Sequence, residues 1–373
     1  MNISSDGFLR PIQKFQLSQE QEEAISTVCP ALGYSQDCDT QNEHPLWGPV
    51  QGIYQGYATD KSVRYKASSG GGLSAILAHL IETRAVDYIL QTEADSEFPI
   101  GNRNTLSSDY VAISKASGSR YAPSAPLSDI AQFLNSNSKY AFVGKPCDIA
   151  ALRAMGKNDP RVQERFPYML SFFCAGVPSL IGARKILEAL EVEESEVTSF
   201  RYRGNGWPGY ATVECRDGSN KQMSYTMSWG GILSKYLQLR CKLCPDGTGG
   251  LADIVCADAW EADGRGYPLF SERPGVSLIV GRTTKGNSVI KQAAAAKKIS
   301  ISTFDINKLA NIQPGQTQKR RYTLSRILAL NTLRRPRPSF KGFYLFKNAA
   351  SAGVWPNVKN FLGVFRRAIQ GKL

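Results

Sequence analysis

Histidine is nearly missing from this chain: His44 and His79 are the only two in 373 residues. An all-histidine metal site is thereby excluded, and a Ser-His or Cys-His nucleophilic pair has little to draw on. His79 interrupts an apolar helical pattern and reads as an ordinary solvated or half-buried side chain. Long apolar runs are missing as well. Arg, Lys, Glu or Gly breaks each of them well before the roughly 18 residues that a membrane-crossing helix needs, and the N-terminus lacks a signal-peptide pattern. Together these absences lead us to expect a cytoplasmic protein. Acid is missing from one region only: Ile306 to Leu373 holds 14 Lys or Arg and no Asp or Glu, against 31 basic and 32 acidic residues before it. The net charge of +13 therefore belongs to a tail. With the rest of the chain nearly neutral and no recognition-helix or zinc-finger pattern, nucleic acid is not an expected partner.

What is present is an ordinary folding composition, 42% hydrophobic and 21% charged, enough for one large domain or two smaller ones. Residues 1–60 carry turn formers, a Cys29-Pro30 pair, Cys38 and Trp47-Gly48-Pro49 without a long periodic segment, and read as an irregular lobe. Then Lys66-Ala-Ser68-Ser69-Gly70-Gly71-Gly72 leads into Leu73, Ile76, Leu77, Leu80 and Ile81, the spacing of one helical face. A glycine-rich turn entering a helix either holds a phosphate on free backbone N–H groups or is a helix cap with a flexible loop. Strands at Val86 to Leu90, Tyr140 to Val143 and Tyr168 to Phe173 alternate with helices from Asp148 and over Ser179 to Leu190, which predicts an α/β domain. Beyond them we expect strands at Ala211 to Cys215, Gln222 to Tyr225, near Ile254 and at Val276 to Val280. Helices are expected over Gly231 to Leu239 and ending in Ala293 to Lys298. Pro314 to Arg321 marks the end of the compact part.

Eight cysteines are too few and too scattered for a disulfide scaffold, which leaves thiols or metal-bound thiolates. Cys241-Lys-Leu-Cys244 can grip one metal centre from a single turn, but a lone pair of this kind is also half a zinc ribbon or a redox dithiol. Cys147, in Gly144-Lys145-Pro146-Cys147, and Cys174, in Phe172-Phe173-Cys174, stand where strands of an α/β sheet end, and sites gather there. Cys215 and Cys256 lie inside strand patterns and read as buried structural thiols.

Five segments in order then carry a resemblance: Ser68 to Gly72, Gly118-Ser119-Arg120-Tyr121-Ala-Pro-Ser124, Phe142 to Arg153, Phe173-Cys174, and Cys241 to Val255. Together they resemble the motifs of the coenzyme F-420 hydrogenase/dehydrogenase beta-subunit family, which includes 7-hydroxymethyl chlorophyll a reductase and divinyl chlorophyllide reductase. The resemblance spans about residues 5–300. It is nearest to bacterial members found among polysaccharide-synthesis genes, whose Arg201-Tyr-Arg-Gly204-Asn-Gly-Trp207-Pro208-Gly209 type of segment is also here.

The resemblance implies a mixed-sheet α/β reductase domain over 61–312, between a lobe at 1–60 left from a ferredoxin-like region and a basic helical tail at 313–373. It implies that Cys147, Cys174, Cys241 and Cys244 hold one [4Fe–4S] cluster. It also implies an FAD against Ser68, Ser69, Gly70, Gly71, Gly72, Ser119, Arg120, Tyr121, Ser124, Asp246 and Asp253. Lys145 and Asp148 are the candidate catalytic side chains beside it. The expected function is electron transfer between a ferredoxin or deazaflavin-type donor and an organic acceptor, small or lipid-linked, with a glycan precursor as one candidate. A non-catalytic electron-transfer subunit of a larger complex is the alternative, and a homo-oligomer stays open. Many relatives begin with a ferredoxin-like cysteine run; here Cys29-Pro30 looks like its orphaned last ligand, so either the start lies further upstream or a second cluster has been lost. Cys38 has no assigned role.

The family does not explain the tail. Val358, Phe361, Leu362, Phe365 and Ile369 fall on one helical face, with Lys359, Arg366, Arg367 and Lys372 on the remainder. A helix packed on the domain and a helix docked on an anionic membrane both fit this pattern. In the second case Trp355, Phe340, Phe343 and Tyr344 would sit at headgroup level, with the chain peripheral at the inner membrane face.

Overall fold

The computed structural model describes residues 1–36, 43–261, 263 and 269–371, so Cys38 and Lys372 lie outside the described residues. Its centre is an eight-stranded mixed sheet made of β1 (Gly52–Ala58), β2 (Tyr88–Ala94), β3 (Asn102–Ser107), β4 (Tyr140–Val143), β5 (Tyr168–Phe172), β6 (Ile254–Asp258), β7 (Ser277–Gly281) and β8 (Ile299–Thr303). The spatial order is β8-β1-β7-β6-β5-β4-β2-β3. Strands β2, β4, β5 and β6 run parallel, and antiparallel strands flank them on both sides.

The parallel strands are short continuous apolar runs because both faces of the sheet are covered. Alternate residues serve opposite cores. Ile89, Ala141, Val143, Leu170 and Ile254 pack under α1 (Gly72–Glu82) and α3 (Thr284–Ala295), together with Ile76, Leu80 and Ile290. Leu90, Phe142, Met169 and Val255 face the other way, onto Ile149 and Leu152 of α2 (Pro146–Met155). A second, three-stranded antiparallel sheet (Val197–Arg201, Tyr210–Cys215, Asn220–Ser224) shares a core with helix Leu180–Ala189 through Phe200, Tyr202, Val213, Ile186 and Leu187.

The helix expected over Gly231 to Leu239 is replaced by a wide helical turn at Thr226–Ile232 and a tight one at Leu233–Tyr236. Gly230 and Gly231 weaken helix formation there. An antiparallel bridge between Pro178 and Leu237 then pulls the chain straight before the short helix Leu239–Leu243 begins.

Two expected boundaries do not separate bodies of the fold. Strand β1 begins within the expected 1–60 lobe yet sits between β8 and β7 in the main sheet. The expected tail is anchored through α4 (Pro314–Thr332), whose Gln316, Thr317, Arg320 and Thr323 are buried, and Ser339–Lys341 pairs with Gly33–Ser35. This anchoring hides in the sequence because the buried side of the first half of α4 is polar and shows no apolar periodicity; only its second half buries Ile327, Ala329 and Leu330. Phe343 is buried against Arg320, Phe340 packs on Tyr34, and the Tyr344 hydroxyl donates to Glu43, so these three aromatics belong to the fold. The final helix, α5 (Val354–Ile369), packs on α4 through Val364 and Ala368, with Phe361 and Phe365 half-buried beside them. Val358, Leu362 and Ile369 of the expected apolar face stay exposed.

Candidate redox site

The carboxyl ends of the parallel strands open onto two adjoining cavities, as expected for an open α/β sheet. The chain after β4 supplies Lys145 and Cys147, the chain after β5 supplies Phe173 and Cys174, and β6 ends on Asp258.

The larger cavity, about 280 Å³, lies between the main sheet, the turn before α1 and the loop around Ser119. That is near the lower end of ligand-pocket volumes, roughly 300–1,000 Å³. Ser68, Ser69, Gly71, Gly72, Ser119, Arg120, Tyr121, Ser124, Lys145 and Asp148, all expected at the site, line it. The Ser68 and Ser119 hydroxyls are 2.7 Å apart, joining the two loops, and Ser69 Oγ donates to the Ala257 carbonyl at 2.8 Å. Gly70 underlies this turn: its φ is +64°, and a Cβ there would lie 2.7 Å from Ser277 N and 2.9 Å from the Gly275 carbonyl oxygen. Gly70→Ala is therefore expected to lower the unfolding free energy by about 1–3 kcal/mol through a strained left-handed alanine pressed on backbone. An unchanged denaturant midpoint in this variant would show that the turn relaxes freely.

Lys145 and Asp148 form a nearly buried ion pair, Nζ to Oδ2 2.7 Å, in the cavity wall, and Lys145 Nζ also donates to Ser124 Oγ at 2.8 Å. Burial opposes the lysine's charge, but the Asp148 carboxylate beside it holds its pKa above the ordinary value. Arg120 is committed to structure. Its guanidinium donates to Asn102 Oδ1 and to the Phe200, Pro99 and Gly101 carbonyls, and it lies over the Tyr202 ring.

Sequence reasoning missed the strongest polar element of this wall. Arg203, 2% exposed, makes a two-pronged pair with Asp258 at 2.8 and 2.7 Å and donates from Nε to the Pro208 carbonyl. It also lies over the Tyr225 and Trp260 rings, which stack on each other, and Trp207 Nε1 donates to Asp258 Oδ1 at 2.7 Å. The signal that could have found it was the Arg201 to Gly209 segment, which carried the resemblance but received no role.

The smaller cavity brings together Cys147, Cys174, Cys241 and Cys244 from three separate segments. Gly176, at φ +134°, lets the 174–177 turn approach Cys241, where an added Cβ would lie 3.1 Å from that residue's Cβ. Val177 N–H donates to Cys241 Sγ at 3.4 Å. Burial pushes the Cys147 and Cys244 thiols up and the Cys174 thiol to about 11, so at neutral pH bound metal is what would make them thiolates. Arg240 and Lys319 also border this cavity, and Lys319 Nζ donates to the Cys174 carbonyl at 3.2 Å. Among the described residues no three Cys, His, Asp or Glu side chains close around one point as a single metal ion requires. Four cysteines lining one cavity together with Arg240 and Lys319 are a donor set that would fit a larger anionic cluster.

Asp246 and Asp253, expected beside the flavin, do not line the larger cavity. Asp246 borders the cysteine cavity, accepting from the Tyr34 hydroxyl at 3.3 Å and from Gly250 N at 3.0 Å. Asp253 is buried and braces the sheet by accepting from Met169 N, Arg153 Nη2 and Thr283 Oγ1. Cys256 lines the larger cavity from within β6, its thiol raised to about 12 by burial, and Cys215 is half-buried in the small sheet. Cys29 caps helix Gln19–Val28, and the adjacent Pro30 and Ala31 border the cysteine cavity.

Two family profiles match the chain. Residues 53–131 match "Coenzyme F420 hydrogenase/dehydrogenase, beta subunit N-term" and residues 137–307 match the corresponding C terminus. The F420-dependent formate dehydrogenase subunit beta of Methanocaldococcus jannaschii is 24% identical over 244 residues, 63% of this chain and 60% of that protein. The chain thus aligns with less than two thirds of that relative's length. The coenzyme F420 hydrogenase subunit beta of Methanococcus voltae is 24% identical over 270 residues, 69% of this chain and 84% of that one. Among solved structures, a chain of the F420-reducing [NiFe] hydrogenase complex from Methanosarcina barkeri superposes with a TM-score of 0.56 at 22% identity. That match covers 76% of this chain and 96% of the other, and shows a shared fold. The ordered motifs, the mixed sheet and the two profile matches agree, and the chain belongs to the coenzyme F420 hydrogenase/dehydrogenase beta-subunit family.

Proposed function

We propose that this chain is an iron–sulfur flavoprotein oxidoreductase, with Cys147, Cys174, Cys241 and Cys244 holding one [4Fe–4S] cluster and the larger cavity holding FAD. The observation that carries the reading is the common wall: Cys174, Gly176 and Val177 line both cavities. Bound there, a flavin exchanges a hydride or single electrons and a cluster passes single electrons, so the pair joins two kinds of redox traffic. The chain's own part is to hold, shield and charge-balance. Ser68, Ser69, Gly70, Gly71, Gly72, Ser119, Tyr121 and Ser124 form or support the cofactor surface. Arg240 and Lys319 offset thiolate charge. The Lys145–Asp148 pair offers a fixed cation, and a proton donor, at the cavity wall.

The donor in this reading is a ferredoxin or a deazaflavin such as F420, which the names of both relatives carry. The acceptor is an organic molecule, and the polysaccharide-associated resemblance favours a glycan precursor. A lipid-linked one would suit a position at the inner face of a membrane. Those relatives are subunits, which favours one second reading, a relay that passes electrons to a partner enzyme. Anaerobic purification tests the proposal: about four irons and one flavin per chain are expected, with the flavin band bleached by reduced ferredoxin or reduced deazaflavin. A colourless chain holding zinc would overturn it. Turnover by the isolated chain separates enzyme from relay.

A further inference from the structure

Helix α5 carries one wide apolar sector, and the fold covers only part of it. Residues 357, 360, 361, 364, 365 and 368 face α4 or are half-covered beside it. Beyond half-buried Phe365 the rest of the sector is bare: Val354 is 81% exposed, Trp355 75%, Leu362 56% and Ile369 65%, with Val358 also exposed. At 100° per residue these five fall within an arc of about 100°. They form one continuous stripe along a 16-residue helix rather than scattered surface apolars. Lys359 and Arg366 follow within about 40° on one flank of the arc. Both are exposed, and neither forms an ion pair with a carboxylate among the described residues.

We infer that this stripe is a docking surface for an anionic lipid bilayer, with α5 lying in the plane of the interface. Charge complementarity selects the occupant. Helix α5 itself carries Lys359, Arg366 and Arg367 and no acid, so it presents apolar side chains and positive charge together, as interfacial helices do. Trp355 at the start of the stripe has an apolar body and an indole N–H suited to the headgroup level. A second copy of this chain would bring an equally basic surface against the first, and repulsion opposes that arrangement. The inference does not depend on the cofactor reading, because no residue of the stripe touches either cavity.

The test is co-sedimentation of the full chain with vesicles of phosphatidylcholine alone or with 30% phosphatidylglycerol, in low and high salt. Wild type is expected to bind only the anionic vesicles, and to lose at least tenfold in partitioning as salt screens the charges. The double variant Trp355→Ser/Leu362→Ser alters only exposed side chains. It is expected to keep the wild-type circular dichroism and cofactor absorption while losing tenfold or more in partitioning. Equal sedimentation of wild type and variant would overturn the docking role of the stripe, as would no binding by wild type at low salt. Concentration-dependent self-association abolished by the variant would overturn it in favour of a contact between copies. Cofactor absorption, read on the same samples, reports separately on the redox proposal.

Discussion

Cys244→Ala is expected to take the iron content from about four per chain to below one and to remove the broad visible absorption of the cluster, because each iron of a cubane needs a protein ligand or a substitute. Cys147→Ala, Cys174→Ala and Cys241→Ala should do the same. Cys174→Ala should in addition weaken flavin retention, since only this member of the set lines both cavities. The controls follow from placement. Cys215 is half-buried in the outer sheet, and Cys29 is absent from the lining of the cysteine cavity, so Cys215→Ala and Cys29→Ser should keep full iron and flavin. Iron analysis and absorption spectra of anaerobically reconstituted variants decide the matter. Full spectra in all four single variants would sink the ligand assignment. A loss in Cys29→Ser equal to that in Cys244→Ala would move the ligand set toward the N-terminal lobe.

The sequence displayed the strands and the cysteines for one physical reason: both are local patterns. A strand buried on two faces is a short apolar run, and Tyr140–Val143 and Ile254–Asp258 read as such. A dithiol within four residues is visible as text. Cys147 and Cys174 needed the family resemblance, because nothing in their own surroundings tells which thiol 60 or 90 residues away they meet. The fold supplies that answer through the parallel pairing of β4 with β5, which brings the two strand ends side by side.

What stayed hidden was polar and long-range. Lys319 stands in a run of Gln, Lys and Arg that looks like a solvated boundary, yet its ammonium reaches the carbonyl of a predicted ligand, Cys174. Asp246 and Asp253 run the other way. They share a motif with Cys244, but a buried carboxylate goes where backbone N–H groups and hydroxyls need an acceptor, and those acceptor positions lie off the larger cavity. The tail divided in the same manner. Periodicity identified the helix, but which of its apolar residues would meet α4 depended on where α4 lay, and Val364 and Ala368 took the contact that the wider stripe had suggested for Val358 and Leu362.

Asp258→Ala is expected to give the largest loss of stability in the molecule, about 3–5 kcal/mol, because removing one member of a buried ion pair strands the other. Arg203 would keep its charge with only the Pro208 carbonyl and two aromatic rings around it, and Trp207 Nε1–H would lose its acceptor. The direction of the pKa agrees: burial works against the Arg203 charge, and the Asp258 carboxylate more than offsets it, holding the pKa above the usual arginine value. Stability and binding can be separated with Arg203→Met/Asp258→Leu, which replaces both charges by apolar side chains. This double variant should recover most of the lost stability, since a buried pair exchanged for apolar groups is often close to neutral. It should still bind flavin more weakly, because Arg203 and Asp258 both line the larger cavity. Denaturant midpoints and flavin dissociation constants on the three proteins read the two effects independently. If Asp258→Ala unfolds at the wild-type midpoint, the pair is exposed to water in solution. If the double variant binds flavin as tightly as wild type, the pair is a brace of the fold and takes no part in holding the cofactor.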